Sequence, residues 1–171
     1  LAEFLAGTIH QADLAQTDYP AARADTNIKE YKTPSLGVGY IAFQQCIKPF
    51  DDLKVRQAIA MAINRDALVK NFYAEGDEVA NGFQPPAIPG SKPDLKIEYN
   101  PEKAKALLAE AGFPDGFSTE FWYVPVIRGY SPDGKAIAEA IAVDLAKIGV
   151  KVELKTEDWG AYLEHRNEGK F

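Results

Sequence analysis

Arg128 stands alone as a cation in the stretch FWYVPVIRGYSPDGKAIAEAI, between a run that reads as a strand and one that reads as a helix. A guanidinium is permanently charged and planar, and its fork of donors fits a carboxylate or a phosphate in a bidentate pair. A loop opening onto a helix adds free backbone N–H groups on the same side. Ser131 and Pro132 read as the N-cap and first helical position, which would turn the donors of Asp133 and Gly134 toward the guanidinium. Tyr130 adds a hydroxyl donor beside it. This set could hold an anion. Plainer readings stay open at this point: Arg128 as a solvated loop arginine or a partner of Asp133, and Tyr130 as a ring packed on the surface.

Other chemistries find less support. No GxxxxGK[ST] phosphate loop is present, and LGVGY lacks the third glycine and the following helix of a dinucleotide fingerprint. His10 and His165 lie far apart and in no metal-ligand spacing, so each reads as an ordinary polar residue. Cys46, the single cysteine, sits beside Gln44 and Gln45 with no suggestive histidine nearby. It reads as a packed or partly exposed thiol rather than a nucleophile, and it has no partner for an internal disulfide. The adjacent acids Asp51 and Asp52 precede an apolar-periodic run, where a helix cap explains them better than a catalytic pair. The residues predict no catalytic set, no metal site and no cofactor.

The 171 residues carry 19 basic and 25 acidic side chains, a net charge of −6, which argues against wrapping a nucleic-acid backbone. With 46% apolar residues the chain reads as globular. No apolar run approaches the roughly 18 residues of a membrane span. The start, LAEFLAGTIHQADLAQ, shows no initiator Met, basic n-region or cleavage site, so no targeting peptide is visible. Both ends read as cuts in a longer chain.

The elements that must position Arg128 follow from periodicity. A first helix is predicted from Leu1 to about Gly7, and TDYPAARADTN has room for a short one. SLGVGYIAF reads as a buried strand entered through glycines. Val55, Ala58, Ile59, Ala62 and Ile63 fall at helical spacing behind a cap at Asp51 or Asp52, and a second helix starts near Asn64 to Asp66, buries Leu68, Val69 and Phe72, and stops at Gly76. Gln84 to Pro93 is too rich in proline for a helix or central strand. Asn100 caps a helix with Pro101 at its first position, Ala104, Leu107, Leu108 and Ala111 on one face, and Gly112 as its stop. A strand from about Ser118 to Val124, a helix aligning Ile137, Ile141, Leu145 and Ile148, and a strand alternating Val150, Val152 and Leu154 make a βαβ unit. Such a unit is expected to be parallel and right-handed, with its ligand-binding loop at the carboxyl end of the first strand. Arg128 lies in that loop. Trp122, Tyr123, Trp159 and Tyr162 could line a cleft, although aromatics at these spacings are more often core.

YIAFQQCIKPFDDLKVRQAIAMAINRDALVKNFY, YNPEKAKALLAEAGFPDGF and VPVIRGYSPDGKAIAEAIAVDLAKIGVKVELKTEDWGAYLEHRNEGKF, in this order and spacing, closely resemble the dipeptide- and oligopeptide-binding proteins of ABC importers, solute-binding protein family 5. The resemblance spans most of the chain. It implies an α/β fold, a lobe of the type II periplasmic-binding-protein kind with βαβ units on a mixed sheet, truncated from a two-lobed receptor. Residues 1–37 would be the end of the first lobe and the approach to the hinge, and residues 38–171 most of the second lobe. It further implies a non-catalytic, monomeric, extracytoplasmic protein that binds dipeptides or short peptides and delivers them to a membrane permease. Relatives that carry nickel complexes, haem or longer peptides keep those ligands as alternatives, and a carboxylate-handling α/β enzyme domain is the rival of another class. In the dipeptide-binding branch an arginine in the loop matching VIRGYSP pairs with the ligand's terminal carboxylate, a role that falls on Arg128 with Tyr130 nearby. The acid that holds the ligand's amino group lies, in the family, beyond the equivalent of Phe171. FQQC departs from the family, which usually has asparagine after the phenylalanine, and this puts a hinge or ligand role at Gln44 in doubt.

Overall fold

The computed structural model describes residues 1–14, 16–33, 35–85, 88–92 and 94–171; Pro86, Ala87 and Pro93 of the proline-rich loop expected over 84–93 lie outside them. Short helical pieces open the chain: α1 over Ala2–Leu5, a 3-10 turn over Gln16–Asp18, and α2 over Tyr19–Arg23. The helices that follow are α3 (Leu53–Ala62), α4 (Arg65–Phe72) and α5 (Pro101–Glu110). Each begins where a short polar side chain satisfies an otherwise unpaired N–H. Asp52, rather than Asp51, accepts from Lys54 N at 2.7 Å. Asn64 accepts from Ala67 N at 3.0 Å and Asn100 from Lys103 N at 3.0 Å.

The apolar stripes meet where their periods predict. Val55, Ala58, Ile59 and Ala62 of α3 pack in one cluster with Ala104 and Leu108 of α5. On α4, Leu68, Val69 and Phe72 are half-buried instead of buried, and the helix ends before Gly76 because Tyr73 turns extended at φ −103° and ψ 166°.

β1 (Ser118–Trp122) and β2 (Lys151–Lys155) pair in parallel, with Ser118 opposite Lys151 and Trp122 opposite Lys155, and α6 (Gly134–Ala146) connects them. Ile141 and Leu145 of α6, with Ile148 and Val150 behind it, join the α3–α5 cluster and seat the βαβ unit on those helices. Phe50, Phe113 and Phe117 close this core in edge-on pairs, with centroids 6.0 Å apart for Phe50–Phe117 and 5.4 Å for Phe113–Phe117. The last helix, α7 (Trp159–Asn167), is capped by Asp158, which accepts from Gly160 N at 2.9 Å.

The strand expected in SLGVGYIAF does not form. The described residues there join no ladder; Leu36 and Tyr40 are 63% and 69% exposed, while Ile41 and Phe43 lean on the core. A strand needs a neighbouring edge to pair with, and among the described residues the sheet stops at two parallel strands, so the mixed sheet expected is represented here by its parallel part alone.

Candidate functional site

The site begins where β1 releases the chain. Tyr123 N–H keeps the ladder for one more bond, to Lys155 O at 3.0 Å, and Thr156 Oγ1 donates to Tyr123 O at 3.2 Å. The carbonyl of Val124 lies so near Gly134 that a Cβ at that position would stand 2.3 Å from its oxygen. Glycine there lets the loop fold back onto the start of α6. Within the loop, Arg128 and Ser131 exchange backbone bonds, Arg128 N to Ser131 O at 3.0 Å and Ser131 N to Arg128 O at 2.9 Å, closing a turn over Gly129 and Tyr130.

This turn overturns the cap read from Ser131 and Pro132. Ser131 is committed to Arg128, and the N-cap of α6 is Asp133, whose carboxylate accepts from Ala136 N at 3.0 Å. A carboxylate suits the positive end of a helix better than a hydroxyl does. The N-terminal donors of α6 therefore already face the protein's own anion, and the support they were expected to lend a ligand is diminished.

It also removes Asp133 as a partner for Arg128. The Arg128 guanidinium is exposed and makes no ion pair among the described residues. Its Nη1 donates to Ile127 O at 3.1 Å, and its Cζ lies 5.1 Å from the centroid of the Trp159 ring, in cation–π contact. Trp159 is the first residue of α7, and its ring stacks on Tyr162 at 5.8 Å and 15°. Tyr162 meets Phe171 at 5.1 Å, and Phe171 stacks on Trp122 of β1 at 4.6 Å and 8°. Of the aromatics read as cleft or, more often, core, Trp159, Tyr162 and Trp122 are joined through Phe171 into one row with Arg128 over its end, and Tyr123 stays out of the row.

Tyr130 is 39% exposed, but its backbone is fixed. Tyr73 Oη donates to Tyr130 O at 3.1 Å, and a Cβ on Gly39 would stand 2.7 Å from the same oxygen. Burial holds the Tyr73 hydroxyl above its usual pKa, with the Asp77 charge adding to the effect. Burial raises Tyr162 as well; the Arg166 charge opposes this, and Tyr130 and Tyr40 reinforce it. Two shallow concavities, one bordered by Phe4, His10 and Tyr31 and one by Thr119 and Val152, both leave Arg128 out. The face around Arg128 carries an exposed cation, the half-exposed Tyr130 and half-buried aromatic rings.

Residues 1–171 match the family described as "Bacterial extracellular solute-binding proteins, family 5 Middle". The chain belongs to this family. It is 41% identical over 154 residues to the dipeptide-binding protein of Escherichia coli (strain K12), covering 90% of this chain and 29% of that protein. It is 41% identical over 161 residues to heme-binding protein A of Haemophilus influenzae, covering 94% and 28%. Among solved structures, the dipeptide binding protein from Pseudoalteromonas sp. SM9913 in complex with Met-Leu superposes with a TM-score of 0.80 at 30% identity, covering 98% of this chain and 33% of that one. The chain therefore spans under a third of the length of these family 5 relatives.

The remaining sequence candidates find other roles. Gln44, where the family pattern was broken, donates from Nε2 to Gly169 O at 3.0 Å and ties the residues after α7 to the segment before α3. His165 Nδ1 pairs with Glu157 at 2.9 Å, and Cys46 is exposed. Sequence reasoning missed Gly39, Tyr73 and Phe171. Gly39 carried a signal, since a second glycine within three residues of an apolar run marks close backbone approach. Phe171 carried none.

Proposed function

We propose that this chain is the part of an extracytoplasmic solute-binding protein that receives the carboxylate end of a dipeptide or short peptide, which the full-length receptor then delivers to the membrane permease of an ABC importer. The protein acts by binding, not by catalysis, and works as a monomer. One observation carries this reading. Arg128 presents its guanidinium in a turn closed by two backbone bonds with Ser131, in the loop after a parallel strand, and pairs with no acid among the described residues. Dipeptide-binding relatives at 41% and 36% identity support the ligand class. The lobe boundary is proposed near residue 37, since among the described residues the central core draws on Ile41 and later positions. Residues before it are fastened instead by exposed ion pairs, Arg23 with Glu30 at 3.0 Å and with Glu75 at 2.9 Å.

The test is Arg128→Ala in the full-length receptor, followed by calorimetric titration with a dipeptide. Lobe closure would desolvate the pair, so the variant should lose about 2–5 kcal/mol, roughly 30- to several-thousand-fold in affinity. Unchanged affinity would make Arg128 a solvated loop residue and end this assignment. Haem is the second reading, favoured by the equal identity to heme-binding protein A. A porphyrin also presents carboxylates to an arginine. Mass spectrometry of ligand released from the denatured receptor separates the two.

A further inference from the structure

We propose that Trp159 is a positioning residue for Arg128, holding the guanidinium in the plane in which its donor fork meets a carboxylate. This rests on Arg128 being the carboxylate anchor proposed above. An arginine side chain in an exposed loop samples many rotamers, and ordering it on binding would subtract from affinity. Arg128 has few restraints of its own. Its side-chain hydrogen bond runs to the adjacent Ile127 carbonyl, and the other contact is the Trp159 ring at 5.1 Å.

A guanidinium lying over an indole face, with its Cζ 5.1 Å from the ring centroid, is restrained without using its N–H groups, so apart from the Nη1 bond to Ile127 O its donors stay free for a ligand. An acidic partner would restrain it too, but would compete for the donors. The indole is itself held. Trp159 follows the Asp158 cap at the start of α7 and stacks on Tyr162, which is buried and continues through Phe171 to Trp122 on β1. Arg128 thus rests on a row of rings anchored in both the sheet and α7, and the turn fixed by its backbone bonds with Ser131 supplies the other end of the side chain.

The experiment measures dipeptide affinity for the full-length receptor carrying Trp159→Leu, Trp159→Phe, Arg128→Ala, and Arg128→Ala combined with Trp159→Leu. Trp159→Leu should weaken binding about 3- to 30-fold. Trp159→Phe should recover most of that, because a ring face remains. In the Arg128→Ala background Trp159→Leu should cost nothing more, since no guanidinium is left to position. If it costs the same factor there, Trp159 touches the ligand directly and the positioning role is overturned. If Trp159→Leu alone binds as wild type while Arg128→Ala loses affinity, the positioning role fails and the anchor stands. If Arg128→Ala itself loses nothing, both fall.

A second measurement needs no Trp159 variant and so does not depend on one folding. In the ligand-free receptor, the δ-methylene protons of Arg128, assigned by their loss in Arg128→Ala, should be shifted upfield by the indole ring current. Random-coil positions would overturn the proposal.

Discussion

Asp144 is buried on α6, where its carboxylate accepts from the backbone N–H of Asn64 at 2.9 Å and pairs with Lys147 at 2.6 Å. Asn64 caps α4, so this one acid fastens the corner between α3 and α4 to α6. The hydrogen bond that Lys147 Nζ donates to Asp144 is the leading cause that lifts the Lys147 ammonium above its usual pKa. Asp144→Ala would strand a buried donor, and such a group left unmade costs about 1–3 kcal/mol. Urea unfolding should show that loss, with Asp144→Asn losing less because its amide oxygen still accepts; a change below about 0.5 kcal/mol for the alanine variant would contradict it. Nothing in AVDLAKIG distinguishes this acid from a solvated one, because its partner lies 80 positions away. Arg128 became an anion-binding candidate through its own type and place, a lone cation in the loop after a strand, with a solvated loop arginine as the plainer reading. Its contact with Trp159 had no local signal, since α6 and β2 lie between the two residues in sequence.

Helices with a cap, an apolar stripe and a stop were readable from sequence to within a residue or two, as α3, α5 and α6 show. Those signals are local. The segment over residues 35–43 was misread because apolar, β-branched composition fits a strand only if an edge is available. What the segment does instead is touch the Arg128 loop: Gly39 closes on Tyr130 O, to which the Tyr73 hydroxyl also donates. Gly39→Ala would put a Cβ 2.7 Å from that carbonyl and push the turn away. Its expected cost is about 1–3 kcal/mol of stability. In the full-length receptor, dipeptide affinity should fall about tenfold, since a binding group must be held within about 0.5 Å of its productive place. Wild-type affinity in a folded Gly39→Ala receptor would show that the contact does not set the loop.

The hydroxyl in this junction gives a pH dependence. Tyr73 has its pKa raised above the ordinary 10.0 chiefly by burial, so the folded chain keeps this proton longer than the unfolded one. Its contribution is whole below about pH 10 and is lost as pH climbs through the raised value, because ionisation then favours the unfolded chain. Tyr162, raised by the same cause, acts in the same direction. Urea midpoints should therefore fall as pH rises above about 10, and Tyr73→Phe should flatten the fall while removing one hydrogen bond, about 0.5–1.5 kcal/mol at neutral pH. An equal slope in the variant would remove Tyr73 from the account.

At the scale of the whole molecule, the role proposed for Arg128 would give the same guanidinium two different strengths. In this chain Arg128 faces water, and an exposed ion pair is worth about 0–1 kcal/mol, whereas a hydrogen-bonded pair buried in an interface loses about 2–5 kcal/mol when one partner is cut away. The difference must come from whatever covers the site. The dipeptide-binding protein of Escherichia coli is more than three times as long as the matched region, which covers 29% of it, and a receptor of that length would have chain enough to supply such a cover. The exposed Tyr40 and Phe83, stacked edge-on at 5.4 Å, are apolar surface of the kind such a cover would bury. The isolated 171-residue chain should then bind a dipeptide no more tightly than millimolar, because one solvated pair beside a half-buried aromatic row cannot offset the cost of immobilising the ligand. The full-length receptor should bind the same dipeptide at least a hundredfold more tightly, and Arg128→Ala should matter there and be nearly silent in the isolated chain. Calorimetry on the two proteins side by side checks this. Micromolar binding by the isolated chain would mean that the open face is sufficient and that desolvation by a second part of the receptor is not the source of affinity.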